Sequence, residues 1–311
     1  MPSTKPSPLP PLLQDLQTHV PLALYTTWRI GGRARWFCEP AAHVLPELFA
    51  CCQQHGIASF YLGRGSNTLV SDETLDGVVI CLKQALQTVE QRGDSIVAEA
   101  GVPLPALAQF AASLGYGGYE FLIGIPGTVG AGVVMNAGAG LENEPMTTIS
   151  DRLIDADIVT PAGEVRTLTA DELHLGNRES KLLQTRDFVL RARFRLAHQT
   201  DERAIKKRTA AHLKARKHKQ PLSKQTAGST FKQSAGKKAA GWYIERAGLK
   251  GFSIGGARVN DKHANWIENT GSASAADIRA LIEHIQDVVE ERFAFRLERE
   301  VRYLPQDVAQ P

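Results

Sequence analysis

One glycine-rich apolar run limits what this chain can fold into more than any other stretch: EFLIGIPGTVGAGVVMNAG, residues 120–138. Its apolar side chains suit a buried position, yet its five glycines and one proline do not favour a long helix or strand. Buried backbone groups need hydrogen-bond partners, so a buried irregular loop often wraps something polar. Glycine lets backbone N–H groups approach a phosphate or a flat heterocycle closely. Taken alone, the run equally fits a glycine-rich turn between two core elements.

A second glycine loop, Gly63-Arg-Gly-Ser-Asn-Thr68, follows a predicted strand at 58–62 and precedes another at 77–82. Its N–H groups and its Ser and Asn side chains can all face a phosphate. The loop lacks the Gly-Lys-Ser/Thr ending of a P-loop. Neither this loop nor the opening stretch 25–32 fits GxGxxG at a strand-to-helix turn, which excludes a Rossmann domain.

The hydrophobic pattern predicts an α+β chain of short helices and strands. Residues 1–20 are predicted to form a loose arm joined to a short helix. Helices are predicted near 43–55, 105–114, 200–219 and 274–293, and strands near 58–62, 77–82, 88–101 (a pair), 153–160, 163–168, 188–196 and 297–303. Along the last strand Leu297, Val301 and Tyr303 share one face. Glu300 lies on the other face and, taken alone, is interpreted as solvent-facing.

Segment 200–219 is polar and strongly basic. The pattern favours a solvated helix that links two domains, and it also fits a positively charged approach to a diphosphate-bearing ligand. Pro221 ends this helix and marks the predicted domain boundary.

Composition narrows the class of protein. The net charge of +3 gives no reason to expect a nucleic-acid partner, and no apolar stretch is long enough to span a bilayer. The first residues lack the apolar core of a signal peptide. The four cysteines show no CxxC spacing, which argues against a zinc site or a disulfide framework and for a reducing compartment. We therefore expect a cytoplasmic protein with no metal, no membrane contact and no obligate protein partner.

Six motifs, in this order along the chain, resemble those of the UDP-N-acetylenolpyruvoylglucosamine reductase family, the FAD enzymes that complete UDP-N-acetylmuramate for peptidoglycan. The motifs are Thr27-x-x-Ile-Gly-Gly, Gly63-x-Gly-Ser-Asn, Gly124-Ile-Pro-Gly with Asn136-Ala-Gly, Arg178-x-Ser, Ala227-Gly-Ser-x-Phe-Lys, and Leu297-x-x-Glu-Val. The resemblance covers residues 25–303, and at this length the chain is similar to the shorter class, which lacks an extra substrate-covering loop.

The resemblance implies an α+β fold with two parts. A two-subdomain FAD-binding unit of the vanillyl-alcohol-oxidase-like type would occupy residues 21–200, divided at about 85, after an arm at 1–20. A linker helix and a smaller α+β substrate-binding domain would occupy 201–311. The resemblance also implies bound FAD, NADPH as the reductant, and a small-molecule nucleotide sugar as the substrate.

Site residues follow from the resemblance by position. Ser229 would be the proton donor, and Arg178 and Glu300 would flank the substrate's carboxylate. The residues expected at the cofactor are Thr27, Gly63, Arg64, Gly65, Ser66, Asn67, Thr68, Gly124, Ile125, Pro126, Gly127, Gly130 and Asn136. Those expected at the substrate are Lys232, Gln233 and His263.

The expected chemistry explains these residue types. Hydride from reduced FAD would add to the terminal carbon of an enolpyruvyl ether, and negative charge would then spread into the neighbouring carboxylate. Arginine can stabilise that charge with two parallel hydrogen bonds, and a well-placed serine hydroxyl can protonate the strongly basic carbanion. Glu300 either is protonated and donates a hydrogen bond to the enolate, or orients Arg178; the sequence does not separate these roles.

Four departures from the family pattern bear on contacts. Thr26 stands for the usual Asn and Ala131-Gly132 for Gly-Gly, which affects the cofactor side. Asn177 stands for a frequent Tyr and Gln233-Ser234 for Asn-Pro or Arg-Pro, which affects the substrate side.

Three other functions compete with this interpretation. Ser229-Thr-Phe-Lys232 is an S-x-x-K sequence, as in penicillin-recognising acyl hydrolases, but the companion motifs S-D-N and K-T-G are absent. Another FAD oxidoreductase of the same superfold would share both glycine loops but would have no reason to combine Ser229, Arg178 and Glu300. A nucleotide-sugar binding protein would bind without turnover.

Overall fold

The computed structural model describes residues 10–196, 199–233 and 237–307. Part of the predicted arm (residues 1–9) and the departure at Ser234 lie outside these ranges. The α+β class is confirmed, because small sheets and helices are mixed along the whole described chain. No helix within the described ranges combines the length and apolar character needed to cross a membrane.

The first unit is a four-stranded mixed sheet of order β1-β2-β5-β3, in which β5 runs parallel to both of its neighbours. Its elements are α1 (Pro11–Gln14), β1 (Gln17–Pro21), β2 (Arg33–Cys38), α2 (Leu45–Gln54), β3 (Ala58–Leu62), β4 (Thr68–Val70) and β5 (Leu75–Cys81). The predicted helix at 43–55 and both predicted strands are confirmed. β4 is not predicted, because its three residues follow the glycine loop directly and carry too short a pattern.

The prediction of a loose arm joined to a short helix over residues 1–20 is correct in its helix, α1, and wrong for residues 17–20, which are not loose. Residues 17–21 pair with β2 in an antiparallel ladder, and the side chain of Leu13 is fully buried in the main core. The sequence conceals this strand, because most of its side chains are exposed and backbone hydrogen bonds hold it in place.

The second unit is a five-stranded antiparallel sheet of order β11-β10-β12-β7-β6, with α3 and α4 packed against it. Its elements are β6 (Val89–Arg92), β7 (Ser95–Glu99), α3 (Leu104–Ser113), α4 (Val129–Val134), β8 (Gly138–Ala139), β9 (Thr147–Thr148), β10 (Leu153–Val159), β11 (Val165–Thr169), α5 (Leu182–Thr185) and β12 (Phe188–Arg195). The strand pair at 88–101 and the three later strands are confirmed. Apolar residues of β7, β10 and β12 point into one core with those of α3, which fixes the sheet under the glycine-rich run.

The C-terminal third contains a small antiparallel sheet of order β13-β16-β15-β14 beside a long helix. Its elements are α6 (Glu202–Lys219), β13 (Gln225–Thr226), α7 (Ala240–Arg246), β14 (Ser253–Ile254), β15 (Ala257–Val259), β16 (Ile267–Asn269), α8 (Ala275–Phe293) and β17 (Arg302–Leu304). Asp201 caps α6, which ends just before Pro221 as predicted. Ser274 and Asp277 form the predicted capping box of α8, whose apolar stripe packs on this sheet.

The chain ends by returning to the first unit. β17 pairs in parallel with β4, and Trp28 donates its indole N–H to the carbonyl of Ile267 at 2.8 Å. The predicted strand at 297–303 is too long, since only Arg302–Leu304 forms a strand, although Leu297 and Val301 are buried as the alternation required. This return brings the residues just before β17 next to the loop just before β4.

Candidate active site

Many of the residues singled out in the sequence line one of two cavities. The glycine-loop cavity has a volume of about 200 Å³ and is lined by residues 61–68 and by parts of the segments 127–135 and 182–189, among others. The Ser229 cavity has a volume of about 450 Å³ and is lined by Arg178, Ser229 and Glu300 together with residues of α7 and of the loop after β15.

The second glycine loop lines the first cavity with unpaired backbone donors. None of the N–H groups of residues 63–67 donates a hydrogen bond to another described residue. Gly65 has φ +59°, and a Cβ there would lie 2.2 Å from the carbonyl oxygen of Tyr25. Only glycine therefore fits at this position. Thr27 lies behind the loop, where its N–H and hydroxyl both donate to the carbonyl of Gly65.

Asn67 connects the two cavities. Its side-chain amide donates to the carbonyl of Glu300 at 3.2 Å, and its own carbonyl accepts the N–H of Arg302 at 3.0 Å. Thr68 begins β4 beside it and also lines the glycine-loop cavity, as do Arg64 and Ser66.

The glycine-rich run at 120–138 is held mainly by the protein itself. The N–H groups of Val129 and Gly130 donate to the carbonyls of Val102 and Ala100, both at 2.8 Å. The expectation that its backbone needs an external partner is wrong at these residues. Within residues 124–130, those that line the glycine-loop cavity are 127, 128 and 130.

Glycine at position 124 serves packing. A Cβ on Gly124 would lie 2.1 Å from Cδ of Arg216, whose side chain covers this turn from α6. Burial lowers the pKa of Arg216 to about 10. Ile125 and Pro126 complete the turn and do not line the cavity.

Asn136 supports the loop that carries Arg178 from inside the protein. Its side chain is buried, donates to the carbonyl of Gly176 at 3.0 Å and accepts the N–H of Ser150 at 3.1 Å. Its carbonyl accepts a hydrogen bond from Arg178 at 3.2 Å. These contacts fix the turn that carries Arg178, which has φ +61°.

One cation in the glycine-loop cavity, Arg186, belongs to no motif that the sequence analysis singled out. Arg186 lines this cavity, and its Nε is buried without a hydrogen-bond partner among the described residues. Tyr61 and Phe188 pack edge to face near this end, with ring centroids 5.1 Å apart. The cavity thus combines an aromatic end, an arginine with a buried Nε, and a row of N–H groups that have no partner among the described residues.

Arg178 and Glu300 form an ion pair inside the Ser229 cavity. Nε of Arg178 lies 3.1 Å from Oε1 of Glu300, and the two side chains are 17% and 18% exposed. Burial raises the pKa of Glu300 above its ordinary value, and the nearby cations of Arg178 and Lys232 only partly oppose this. The interpretation of Glu300 as solvent-facing is wrong, because residues 178 and 300 meet across the fold.

The predicted substrate residues fall in two places. Gln233 and His263 line the Ser229 cavity, and burial lowers the pKa of His263, which favours the neutral imidazole. Nζ of Lys232 is bound to Glu298 at 2.5 Å and does not line the cavity. Asn177 donates to the carbonyl of Gln233 at 3.0 Å.

The geometry removes one rival function. Residues 229–232 are not helical, and Phe231 forms a bridge with Arg299, so Ser229 and Lys232 are not one helical turn apart. The acyl hydrolase interpretation is therefore contradicted. No cluster of metal-ligating side chains occurs among residues 10–196, 199–233 and 237–307.

Two models of known protein families match this chain, one in its N-terminal part and one in its C-terminal part. A family model described as the UDP-N-acetylenolpyruvoylglucosamine reductase C-terminal domain matches residues 220–304, and a model of an FAD binding domain matches residues 42–169.

Individual proteins match over almost the whole chain. The UDP-N-acetylenolpyruvoylglucosamine reductase of Synechococcus sp. (strain RCC307) is 42% identical over 93% of this chain and 94% of its own length. That of Halalkalibacterium halodurans is 39% identical over 93% and 94%. The crystal structure of UDP-N-acetylenolpyruvylglucosamine reductase from Thermus caldophilus is similar, with a TM-score of 0.76 and 33% identity over 91% of this chain and 97% of that one.

Proposed function

Because the chain belongs to the UDP-N-acetylenolpyruvoylglucosamine reductase family, we propose that its two cavities serve one reaction, with FAD along the glycine-loop cavity and the nucleotide sugar in the Ser229 cavity. The chain is an FAD-containing, NADPH-dependent oxidoreductase that reduces the enolpyruvyl group to give UDP-N-acetylmuramate. The observation that carries the assignment of the site is the meeting of Arg178, Ser229 and Glu300 in one cavity, although 122 residues separate the first and the last.

The glycine-loop cavity fits a dinucleotide. The free N–H groups of residues 63–67 supply donors for a diphosphate, and a side chain at Gly65 would collide with the protein. The unpartnered Nε of Arg186 supports an anionic occupant, and the rings of Tyr61 and Phe188 suit a flat base. When bound, FAD supplies the chemistry of accepting a hydride from NADPH and passing it on.

A glycine replacement tests this cradle. We expect Gly65→Ala to weaken FAD binding and to lower the free energy of unfolding, because a left-handed φ costs an L-residue roughly 1–2 kcal/mol and the new Cβ also overlaps the carbonyl of Tyr25. Gly93→Ala is the matched control: Gly93 has the same φ of +59° and no atom within 4 Å of an added Cβ. FAD titration and thermal unfolding of both variants measure the difference. Equal FAD affinity in the two variants would reject the cradle at Gly65.

Arg178 is proposed to bind the substrate's carboxylate. Its guanidinium has five N–H donors, of which three go to Glu300, Asn136 and Gly138. These contacts hold the planar group in place. Nη2 also lies 3.8 Å from Sδ of Met146, which is a weak acceptor. Within the described ranges, one N–H of Nη1 is therefore unengaged and one of Nη2 has only this weak contact, so both can bind an anion in the cavity. A fixed, mostly buried cation stabilises charge that grows on the carboxylate during reduction more strongly than water would.

Glu300 is proposed to act in its protonated form, in which Oε1 still accepts the Nε–H of Arg178 as a hydrogen bond and the other oxygen carries the proton. Its raised pKa keeps the carboxyl protonated to a higher pH than an ordinary glutamate, so it can donate a hydrogen bond toward the developing enolate. Reoxidation of the flavin by the sugar substrate should then slow as pH rises through this raised pKa.

Glu300→Gln tests that role, because glutamine keeps an N–H donor but does not titrate. We expect Glu300→Gln to lose the decline in single-turnover rate that the wild type shows as pH rises through the raised pKa of Glu300. We expect Glu300→Ala to be slower by about 10²–10³-fold at every pH. If Glu300→Gln were as slow as Glu300→Ala at every pH, the proposal would be wrong. Glu300 would then act as an ionised carboxylate that orients Arg178.

Ser229 is proposed to deliver the proton that completes reduction. Ser229 lines the same cavity, and its hydroxyl makes no hydrogen bond to another described residue, so it is free to face a substrate carbon. We also propose that residues 21–200 hold the cofactor and residues 201–311 contribute most substrate contacts. We also propose a cytoplasmic location, because NADPH and the nucleotide sugar are supplied there. No obligate protein partner is part of the proposal.

Visible absorption tests the function directly. The purified protein should show a flavin spectrum that NADPH bleaches, and anaerobic addition of the UDP-enolpyruvyl sugar should restore it. A flavin that bleaches but ignores the sugar would indicate a different substrate. A protein that cannot take up FAD would contradict the assignment of the glycine-loop cavity.

A further inference from the structure

The hydroxyl of Ser229 depends on the backbone around it for its position. The side chain makes no hydrogen bond within the described ranges, and Gly228 before it turns the chain with φ +78°. The contacts that hold the backbone of residues 230 and 231 therefore set the direction in which this hydroxyl points. Both following residues are almost fully buried, with Thr230 0% and Phe231 1% exposed.

Asn265 clamps that backbone from one side. Its Oδ1 accepts the N–H of Phe231 at 3.0 Å, and its Nδ2 donates to the carbonyl of the same residue at 2.9 Å. Its own carbonyl accepts the N–H of Thr230 at 2.8 Å. Three hydrogen bonds thus join one side chain and its backbone to two consecutive residues, as a neighbouring strand would.

The other side of the segment is tied to Glu300. The carbonyl of Thr230 accepts the N–H of Glu300 at 2.8 Å, so Thr230 lies between Asn265 and Glu300. The clamp at Asn265 therefore sets where Ser229 lies relative to the ion pair of Glu300 and Arg178. Asn265 is itself 7% exposed, and its N–H donates to Nδ1 of His263 at 3.3 Å, which holds the clamp in its own loop.

We infer that Asn265 is a positioning residue for proton transfer, acting through Ser229 and not on the substrate. Asn265 lines the Ser229 cavity, but both polar atoms of its carboxamide are engaged by the backbone of Phe231, which leaves it poorly suited to bind a ligand. Only an amide side chain of this length offers a donor and an acceptor side by side for one peptide unit. The inference rests on the proposed role of Ser229 as the proton donor.

Loss of the clamp should separate the two halves of the reaction. In Asn265→Ala the 229–231 segment gains freedom next to the cavity, and a displacement of about 1 Å can cost on the order of 10²-fold in rate. We expect flavin reoxidation by the UDP-enolpyruvyl sugar to slow by that order in stopped-flow experiments, whereas the limiting rate of flavin reduction by NADPH stays at the wild-type value. Equal slowing of both halves would overturn the inference, because it would indicate general damage to the cavity.

A double-mutant cycle tests whether the effect passes through Ser229. If Asn265 acts by placing that hydroxyl, Ser229→Ala/Asn265→Ala should reoxidise no more slowly than Ser229→Ala alone. Multiplied effects in the double variant would show that Asn265 acts independently of Ser229 and would overturn the inference.

Asn269→Ala is the matched control. Asn269 is also a nearly buried asparagine of the same sheet region, but it bonds Trp28 and residues 271 and 273, away from Ser229. It should lose thermal stability like Asn265→Ala and keep the wild-type reoxidation rate. A slow Asn269→Ala would assign the effect to loss of packing. If the wild type itself failed to reoxidise with the sugar, the proposed function would be at fault, and the role of Asn265 would fall with it.

Discussion

Ser229→Ala should still be reduced by NADPH but should lose nearly all transfer to the sugar substrate. Protonation by a placed side chain contributes typically 10²–10⁴-fold, so single-turnover reoxidation is expected to slow by about that factor. The hydroxyl makes no hydrogen bond within the described part of the chain, so its removal leaves no buried group unpaired, and the fold should be unaffected. The measurement is anaerobic stopped-flow absorbance at the flavin band for each half of the reaction.

Ser229→Cys provides the matched variant for this prediction. A thiol has nearly the same shape and also carries a transferable proton, so part of the rate should return. Near-normal reoxidation in Ser229→Ala would contradict the assignment of Ser229 as proton donor. Recovery absent in Ser229→Cys but present in Ser229→Thr would indicate that a hydroxyl in particular is needed.

The order of the six motifs along the chain predicted the residues of the site. The local spacing of hydrophobic residues predicted many of the helices and strands. Amphipathic spacing predicted α3 and α8 correctly, because burial of one face decides such elements, and α2 was also predicted correctly. The polar, basic composition before Pro221 predicted α6, of which only Ile205 and His212 are buried. The three proposed catalytic residues do share one cavity. Their meeting depends on the parallel pairing of β17 with β4, which no local pattern encodes.

Contacts between distant residues explain what the sequence could not predict. Glu300 alternates like a surface residue, and only its approach to Arg178 makes it a buried member of an ion pair. Asn67 fits a phosphate-binding pattern, yet its side chain supports the backbone of Glu300. Thr26, a departure from the family pattern, uses its hydroxyl to close its own loop with Ile30 at 2.8 Å. Each outcome is decided by tertiary neighbours that lie far apart in sequence or by loop closure.

The opening run shows the same limit for glycine. Gly124 and Gly130 belong to the glycine-rich run that the sequence analysis interpreted as a ligand-binding loop. An added Cβ at Gly124 would collide with Arg216, and one at Gly130 would collide with Ala100. Both glycines are needed for close packing of this run on its neighbours. A glycine-rich loop thus indicates that the backbone packs closely against a neighbour. The structure shows whether this neighbour is another part of the protein or a cavity that can hold a ligand.

Arg178→Lys should be nearly as damaging as removal of the arginine. The guanidinium holds Glu300, Asn136 and Gly138 with three separate N–H groups at 3.1, 3.2 and 3.1 Å. A lysine has one nitrogen and cannot keep this geometry while also binding a carboxylate with two parallel bonds. We expect the reoxidation rate at saturating sugar to fall by about 10²–10³-fold, the usual cost of losing an oriented donor to developing charge.

The split between affinity and rate identifies the role. The substrate's carboxylate is charged before and after hydride addition, so a point charge at 178 should preserve much of the binding while losing the stabilisation that grows in the transition state. Arg191→Lys is the control, because Arg191 also pairs with a carboxylate, Asp157, but lies half exposed on the second sheet. It should behave as wild type, since exposed ion pairs contribute little. A raised KM with an unchanged limiting rate in Arg178→Lys would mean that Arg178 serves only to bind the substrate, and the charge that develops during reduction would then have to be stabilised by Glu300 alone.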